Sequence, residues 1–389
     1  MAAVHHRLLL LVTLTGMVVA CDDDAVAPDI SEEPTAASYA AFSAGLDYTC
    51  AIETDGSLAC WGRIIGVDAE EAALRPAPVA QGSGFAAVAS GTTHTCALAI
   101  GGAARCWGAN DRLQLGSGDT LSSTAPRAVG GPVHAFQVLS SGAYHTCGVS
   151  LDDRAYCWGW NRYGQLGNNS TIGQGLPAQV HGDFEAQDIA AGGTHTCAVT
   201  RDGRAFCWGR GGRGQLGSGS TDDQLGAVQV TGTQTYAAIT AGDAHSCALA
   251  ADGTAWCWGA GTAGQLGNGE TEDAATPVQV MGGRTYASIT AGSEHTCAVE
   301  QNGAAWCWGH NAHGRLGTGG LPAILPAPAA VAGELRFRAL SAGRLHTCGV
   351  TTDDVGYCWG FGGFGQLGSG SVISRAEPTP VAPATATGP

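Results

Sequence analysis

The side chains of this sequence that are best placed for chemistry are fourteen cysteines arranged in seven pairs. Within each pair the cysteines are ten positions apart, and the second is followed by Trp-Gly. The pairs are Cys50 and Cys60, Cys96 and Cys106, Cys147 and Cys157, Cys197 and Cys207, Cys247 and Cys257, Cys297 and Cys307, and Cys348 and Cys358. Such pairs can oxidise to disulfides or, as thiolates, bind a metal ion.

A histidine lies two positions before the first cysteine in six of the seven copies, and Tyr48 takes its place in the other. The histidines are His94, His145, His195, His245, His295 and His346. One histidine and two cysteines could supply three ligands to Zn²⁺, but the pattern lacks a fourth ligand. Because the N-terminus carries an export signal, which implies an oxidising compartment, we expect seven disulfides, no metal ion and no cofactor.

That export signal occupies residues 1–20. Arg7 precedes an apolar run at residues 8–20 that is too short to span a bilayer. The run ends before Cys21, the one cysteine outside the seven pairs, and small residues before a cysteine resemble a bacterial lipoprotein signal. We therefore predict that Cys21 carries a lipid. Residues 21–38 are acidic and contain proline, so we expect a disordered, lipid-anchored linker.

The two cysteines of each pair lie on the two strands of a predicted β-hairpin. In the fourth copy, Asp202-Gly203 separates two short segments of alternating character. A turn with Gly203 in the left-handed conformation places Cys197 opposite Cys207, with Cα atoms about 4.5 Å apart. Where Asp-Asp replaces Asp-Gly, as at residues 353–354, the second aspartate must adopt the conformation that glycine usually fills.

Gly-Gln-Leu-Gly or a close variant follows the hairpin in six copies, and a variable loop and a Pro-x-x-Val strand come next. With the strand before the next Ala-Gly, each repeat of roughly 50 residues holds about four strands. The sequence thus predicts an all-β fold, a seven-bladed β-propeller of four-stranded antiparallel blades at residues 39–382, with a disordered tail at residues 383–389. An unpartnered strand at residues 377–381 is predicted to complete the first blade and close the ring.

The recurring His-Thr-Cys-Ala, Asp-Gly, Cys-Trp-Gly and Gly-Gln-Leu-Gly run resembles the repeat of the regulator-of-chromosome-condensation family. The resemblance implies a seven-bladed β-propeller. The family includes a nuclear exchange factor for a small GTPase, a plant ultraviolet-B photoreceptor and a secreted bacterial β-lactamase inhibitor, so fold does not set function. The resemblance also implies that the repeat histidines have a structural role, in which they form hydrogen bonds to the backbone.

A tryptophan follows the second cysteine of every pair, and we expect aromatic packing within the blades. These residues are Trp61, Trp107, Trp158, Trp208, Trp258, Trp308 and Trp359. Trp160, Trp256 and Trp306 are additional, and packing is predicted for them as well.

The composition excludes several functions. The net charge is −15 and all 18 basic residues are arginine, which disfavours binding to nucleic acid and excludes lysine-based chemistry. No group of Ser, His and acidic residues stands out as a catalytic constellation, so we expect a protein that is not an enzyme. The non-repeating loops are the better place to look for function, because a rigid scaffold holds them.

The sequence therefore predicts a monomeric cell-envelope lipoprotein, exported and attached to a membrane through its lipid alone. Its propeller would bind an unidentified protein or another envelope macromolecule without turnover. One alternative is a hydrolase or lyase that acts on envelope glycan, which needs converging carboxylates in the central channel. Guanine-nucleotide exchange, by family analogy, is a further alternative that the export signal disfavours.

Overall fold

The computed structural model describes residues 37–63, 72–79, 84–133, 135–182, 184–320 and 322–384. Cys21, the predicted signal and most of the predicted linker lie outside these residues. The described chain is built from 28 strands, and one short 3-10 turn at Ala312–Gly314 is its single helical element. No helix among the described residues is long and apolar enough to cross a membrane.

The strands form seven four-stranded antiparallel sheets, each made of four consecutive strands, which confirms the predicted seven blades. The first strands of the blades are β1 (Tyr39–Ala44), β5 (Phe85–Ser90), β9 (Phe136–Ser141), β13 (Ala186–Ala191), β17 (Tyr236–Ala241), β21 (Tyr286–Ala291) and β25 (Phe337–Ala342). Neighbouring first strands adjoin one another in a closed ring around a central channel.

The middle strands of each blade carry the cysteines. The second strands are β2 (Tyr48–Glu53), β6 (His94–Ala99), β10 (His145–Ser150), β14 (His195–Thr200), β18 (His245–Ala250), β22 (His295–Glu300) and β26 (His346–Thr351). The third strands are β3 (Leu58–Gly62), β7 (Ala104–Gly108), β11 (Ala155–Gly159), β15 (Ala205–Gly209), β19 (Ala255–Gly259), β23 (Ala305–His310) and β27 (Gly356–Gly360).

The fourth strands lie at the outer edge of the ring and contain most of the prolines of the repeat. They are β4 (Ala73–Pro78), β8 (Ser123–Ala128), β12 (Gln174–Gln179), β16 (Gln224–Gln229), β20 (Ala274–Gln279), β24 (Ile324–Ala330) and β28 (Arg375–Pro380). An edge strand tolerates proline because one side of it needs no ladder hydrogen bond.

The hairpin turn fixes the register that the sequence predicted. Gly203 has a φ of 83°, and Thr200 N donates to Arg204 O at 2.9 Å. Counting outward from this turn pairs Cys197 with Cys207. Where aspartate replaces the turn glycine, it takes the left-handed conformation, with a φ of 63° at Asp354.

The ring closes differently from the prediction. Strand β28 pairs with β27 and completes the seventh blade, so the prediction that residues 377–381 complete the first blade is wrong. The reason is that each outer strand pairs with the cysteine strand before it in the chain. The first and seventh blades meet through a shared core, which includes Trp61 and Val350, and through hydrogen bonds to backbone groups. Tyr39 N donates to Asp354 O at 2.9 Å, and Arg338 Nη2 donates to the carbonyls of Tyr39 and Ala40 at 2.5 and 2.9 Å.

The core lies between the blades. Each blade packs its cysteine face against the tryptophan face of the next blade, as where Cys197 and Val199 pack with Trp258. The repeat tryptophans therefore fill the interfaces between blades, whereas the sequence predicted packing within a blade. The small residue after the first cysteine leaves room for its neighbours, since a Cβ on Gly148 would lie 2.7 Å from the Phe136 ring. Burying one large side chain in this way contributes about 2–3 kcal/mol.

Candidate functional site

Seven disulfides join all the predicted cysteine pairs, with Cα atoms 4.0 to 4.1 Å apart, slightly closer than the sequence predicted. They join Cys50 to Cys60, Cys96 to Cys106, Cys147 to Cys157, Cys197 to Cys207, Cys247 to Cys257, Cys297 to Cys307, and Cys348 to Cys358. These cysteines are buried between the blades, and no cluster of His, Cys, Asp and Glu in the described part of the chain could hold a metal ion. The cysteines are thus part of the scaffold.

The repeat histidines link the blades into a ring. Each Nε2 lies 2.7 to 2.9 Å from a hydroxyl of the next blade. The pairs are His94–Thr146, His145–Thr196, His195–Ser246, His245–Thr296, His295–Thr347 and His346–Thr49. In the first blade the Tyr48 phenol takes this position and accepts a hydrogen bond from the Thr95 hydroxyl at 2.9 Å.

The hydroxyl partner shows that Nε2 of these histidines carries a proton. Ser246 Oγ donates its single proton to the carbonyl of Gln215 at 3.0 Å, so the His195 Nε2 must carry a proton and donate to Ser246. Its Nδ1 has no hydrogen-bond partner among the described residues, and because the ring is fully buried a second proton there would be an unpaired buried charge, so the imidazole is neutral. The sequence predicted that the repeat histidines bind the backbone directly. In the structure, the histidine donates to a hydroxyl, and the hydroxyl donates to a backbone carbonyl.

Burial of these histidines lowers their pKa values. The pKa falls from 6.5 to about 3 for four of them, to about 4 for His195, and well below its usual range for His295. The cause is desolvation, because each imidazole is completely buried. Neutral, enclosed histidines serve structure and are not available as ligands or as general bases.

Six of the seven repeat tryptophans donate Nε1–H to the previous blade. The acceptor is the backbone carbonyl at the second position of the Gly-Gln-Leu-Gly motif, as where Trp208 donates to Gln165 at 3.0 Å. The exception is Trp107, which follows the blade without that motif. Its Nε1 has no partner among the described residues.

The central channel is narrow at the end where β1–β2 and the equivalent turns lie. Its cavity has a volume of 80 Å³ and a lining of mostly Gly, Ala and Ser. Asp243 is the single carboxylate among the described residues of that lining, and Arg344 the single cation. Desolvation raises the pKa of Asp243, and Glu294 nearby acts in the same direction. The glycan-hydrolase alternative requires two converging carboxylates.

At the channel mouth a larger cavity opens, lined chiefly by the third, fourth and fifth blades and completed by Leu46, Thr92, Ser293 and Arg344 of the other four. We call it the aromatic pocket, and its volume is 550 Å³, a size typical of ligand sites. Tyr144, Trp160 and Tyr163 form its aromatic side. The rings meet edge to face: Tyr144 and Trp160 lie 5.8 Å apart at 82°, and Trp160 and Tyr163 lie 5.7 Å apart at 88°.

Arg210 and Arg213 also line the aromatic pocket. The Arg210 guanidinium lies 5.0 Å from the centre of the Tyr163 ring, within range for a cation–π contact. Arg213 forms a two-pronged ion pair with Asp273 and also contacts Thr262 at 3.1 Å. Both arginines are exposed to solvent.

Backbone and side-chain contacts hold the aromatic rings in place. Trp160 N donates to the carbonyl of Tyr144 at 2.9 Å, which joins the two strand ends that carry these rings. The loop after Trp160 is fixed by the buried Asn161, whose Oδ1 accepts from Leu166 N at 2.9 Å and whose Nδ2 donates to Ser170 O at 2.8 Å. The rings therefore have little conformational freedom to lose when a ligand binds.

The sequence did not predict the aromatic pocket. It predicted packing for Trp160, and the arginines belong to a glycine-rich run, residues 209–214, whose resemblance to a nucleotide-binding motif is accidental. The signal lay in a comparison of the repeats. The position before the histidine is Tyr144 in the third blade but Thr, Ala, Glu, Leu or Asp elsewhere, and the position of Trp160 is Ala in two other blades. The pocket is lined by positions of the repeat whose residue type varies from blade to blade.

Fold and site together define a seven-bladed β-propeller with a ligand-sized pocket beside its channel. The chain belongs to the RCC1-like domain family, whose model matches residues 21–286. Regulator of chromosome condensation (RCC1) repeats match residues 286–315 and 356–387 as well. The predicted family is confirmed.

Among curated relatives, the Ultraviolet-B receptor UVR8 of Arabidopsis thaliana is 37% identical over 76 residues, which are 18% of this chain and 16% of that protein. The match thus spans less than a fifth of the length of the relative.

Among solved structures, Prp20p of Saccharomyces cerevisiae, described with its binding to Gsp1p and histones, has a TM-score of 0.74 at 22% identity and covers 90% of this chain and 88% of its own. Human WBSCR16 has a TM-score of 0.73 at 18% identity over 82% of this chain and 89% of its own. At these identities the likeness shows the fold alone.

Proposed function

We propose that this protein is an exported binding module of the cell envelope that recognises a partner protein through the aromatic pocket and performs no turnover. One observation carries the proposal. The pocket gathers three aromatic side chains and three arginines at positions that vary from blade to blade, on a scaffold that is otherwise nearly uniform.

The chemistry of the pocket supports protein recognition. Tyrosine, tryptophan and arginine are the residue types that contribute most binding energy at protein interfaces. The backbone segments that carry Tyr144 and Trp160 are held in place by hydrogen bonds next to the channel, which limits the order that these rings must gain on binding. Prp20p, which has the same fold, is described as binding Gsp1p and histones. A protein partner for this chain is the corresponding proposal.

Two features support the proposed cellular location. Seven disulfides are typical of a protein that folds outside the cytosol. Cys21 follows a predicted signal peptide and remains outside the seven pairs. We propose that a lipid on Cys21 anchors the propeller through the acidic linker at residues 21–38. A Cys21→Ala variant should lose incorporation of labelled palmitate and leave the membrane fraction, while its propeller stays folded.

The binding function is tested by capture from envelope extract. We expect the wild-type chain to retain one protein in stoichiometric amount, and a Trp160→Ala variant to lose it. Ile100→Ser is the matched control, because Ile100 is 75% exposed at the hairpin tip, the opposite end of its blade. Equal capture by the wild-type and Trp160→Ala chains would contradict the proposal, as would turnover of an envelope glycan that depends on Asp243.

A further inference from the structure

The aromatic pocket holds an arginine without a counter-charge. Arg210 follows β15, is exposed, and lies 5.0 Å from the centre of the Tyr163 ring. No carboxylate pairs with it among the described residues. The aromatic contact restrains its guanidinium but leaves its N–H donors free.

The repeat supplies an internal comparison. Arg63 occupies in the first blade the position that Arg210 occupies in the fourth, and it too lies over an aromatic ring of the preceding blade, 3.5 Å from the centre of Phe364. Its guanidinium is neutralised, since Nη2 lies 2.6 Å from the carboxylate of Asp47. The position of Asp47 is taken by Thr194 in the fourth blade. The same arrangement is therefore complete in one blade and lacks its anion in the other.

The other charges of the pocket do not supply that anion. Asp273 is engaged by Arg213 through both of its carboxylate oxygens. Asp243 lies at the channel mouth with Arg344, which acts on it electrostatically. In a chain with a net charge of −15, this pocket is a local site where cations are in excess. A ligand with a carboxylate is attracted to it.

We infer that the aromatic pocket binds an acidic peptide segment, with a carboxylate of the ligand on Arg210 and an apolar side chain against Trp160. The inference rests on the proposed function and names the chemistry of the partner at that same site. A guanidinium presents two parallel N–H donors that match a carboxylate. Its contact with Tyr163 orients it beforehand, which lowers the entropy lost on binding.

A peptide fits the aromatic side of the pocket better than an acidic glycan does. The ring of Trp160 is nearly perpendicular to those of Tyr144 and Tyr163, at 82° and 88°. The three rings form a corner, which an apolar side chain can fill, while a pyranose ring stacks on an open, flat face. The volume of 550 Å³ accommodates a few residues of an extended chain.

The test selects ligands from random sequences. The full mature chain is immobilised, and random heptapeptides displayed on phage are selected for binding. We expect Asp or Glu next to an apolar residue to be enriched. In synthetic form, the best peptide should bind at least about tenfold more weakly when its acid is changed to the amide, and by a similar factor to an Arg210→Met variant, because each change removes a charge-assisted hydrogen bond. Arg63→Met is the matched control and should bind the peptide unchanged.

Three results would overturn the inference: selection without acidic enrichment, equal loss of binding in Arg63→Met and Arg210→Met, or preference for trigalacturonate over every selected peptide in an Arg210-dependent manner. The proposed function fails separately. If Trp160→Ala abolishes capture of the envelope protein but Arg210→Met does not, the pocket is the binding site and the acidic chemistry is wrong. If acidic peptides are selected but no envelope protein is captured, the acidic-peptide chemistry of the pocket is supported and the proposed function fails.

Discussion

Lowering the pH from 7.5 to 5 should destabilise this propeller through its six buried histidines. In the folded chain their imidazoles are fully buried and have pKa values of about 3, about 4 for His195, and a strongly lowered value for His295. In the unfolded chain each should titrate with a pKa of about 6.5. The folded state then binds fewer protons than the unfolded state, so its stability is complete above about pH 6.5 and falls as the pH drops towards the folded pKa values.

The size of the effect follows from the same values. Each pH unit below the unfolded pKa costs about 1.4 kcal/mol for a group that stays neutral in the folded chain, so one histidine costs about 2 kcal/mol at pH 5. Six independent histidines would remove on the order of 12 kcal/mol. The net stability of a domain is typically about 5–15 kcal/mol, so we expect a large loss of stability or complete unfolding by pH 5.

The assay is guanidinium unfolding at several pH values with the disulfides intact, from which the dependence of stability on pH gives the number of protons bound on unfolding. We expect up to six protons, all from histidine, because most carboxylates titrate below this range. A His145→Gln variant retains a donor for Thr196 and should reduce proton uptake by about one. His181→Gln is the control, because His181 is exposed and should leave the uptake unchanged.

The reasoning would be refuted by stability that is flat between pH 7.5 and 5. It would be equally refuted if His145→Gln and His181→Gln had the same effect, since the expected difference depends on burial rather than on the number of histidines.

Three further perturbations test the scaffold. Trp208→Phe should lower the free energy of unfolding by about 1 kcal/mol more than Trp107→Phe, because only Trp208 donates to a described carbonyl; equal losses by denaturant unfolding would contradict the shared hydrogen bond. Replacing both Cys197 and Cys207 by serine should cost roughly 2–3 kcal/mol, and thiol titration of the denatured wild-type propeller should find none of the fourteen paired cysteines reactive; fourteen reactive thiols would exclude the disulfides. Arg338→Ala should lower the melting temperature by opening the junction between the first and last blades, and an unchanged melting curve would show that this contact does not close the ring.

The sequence alone determined the local structure of each repeat. A turn glycine at Gly203 and ten-residue cysteine spacing were enough to pair Cys197 with Cys207. This succeeds because a hairpin is a local structure: the turn sets the register, and register sets which side chains share a face. The seven copies of the repeat likewise predicted seven blades, because each copy is one local supersecondary unit.

The sequence did not determine which cysteine hairpin each outer strand pairs with. Each outer strand except β28 has one cysteine hairpin directly before it in the chain and another directly after it. The sequence pattern therefore allows an outer strand to pair with either hairpin. Only the structure shows that each pairs backward in the chain. Likewise, the partner of His195 is a hydroxyl about 50 residues away on the next blade, which no local pattern specifies.

The sequence therefore determined the scaffold, and the tertiary structure decided the site. Tyr144, Trp160 and Arg210 belong to three separate segments and two blades, and none of them is unusual in its own segment. They meet because the ends of neighbouring blades converge at the channel mouth. Contacts within a repeat are encoded by spacing along the chain, whereas a pocket between repeats exists only once the ring has closed and set the distance from one blade to the next.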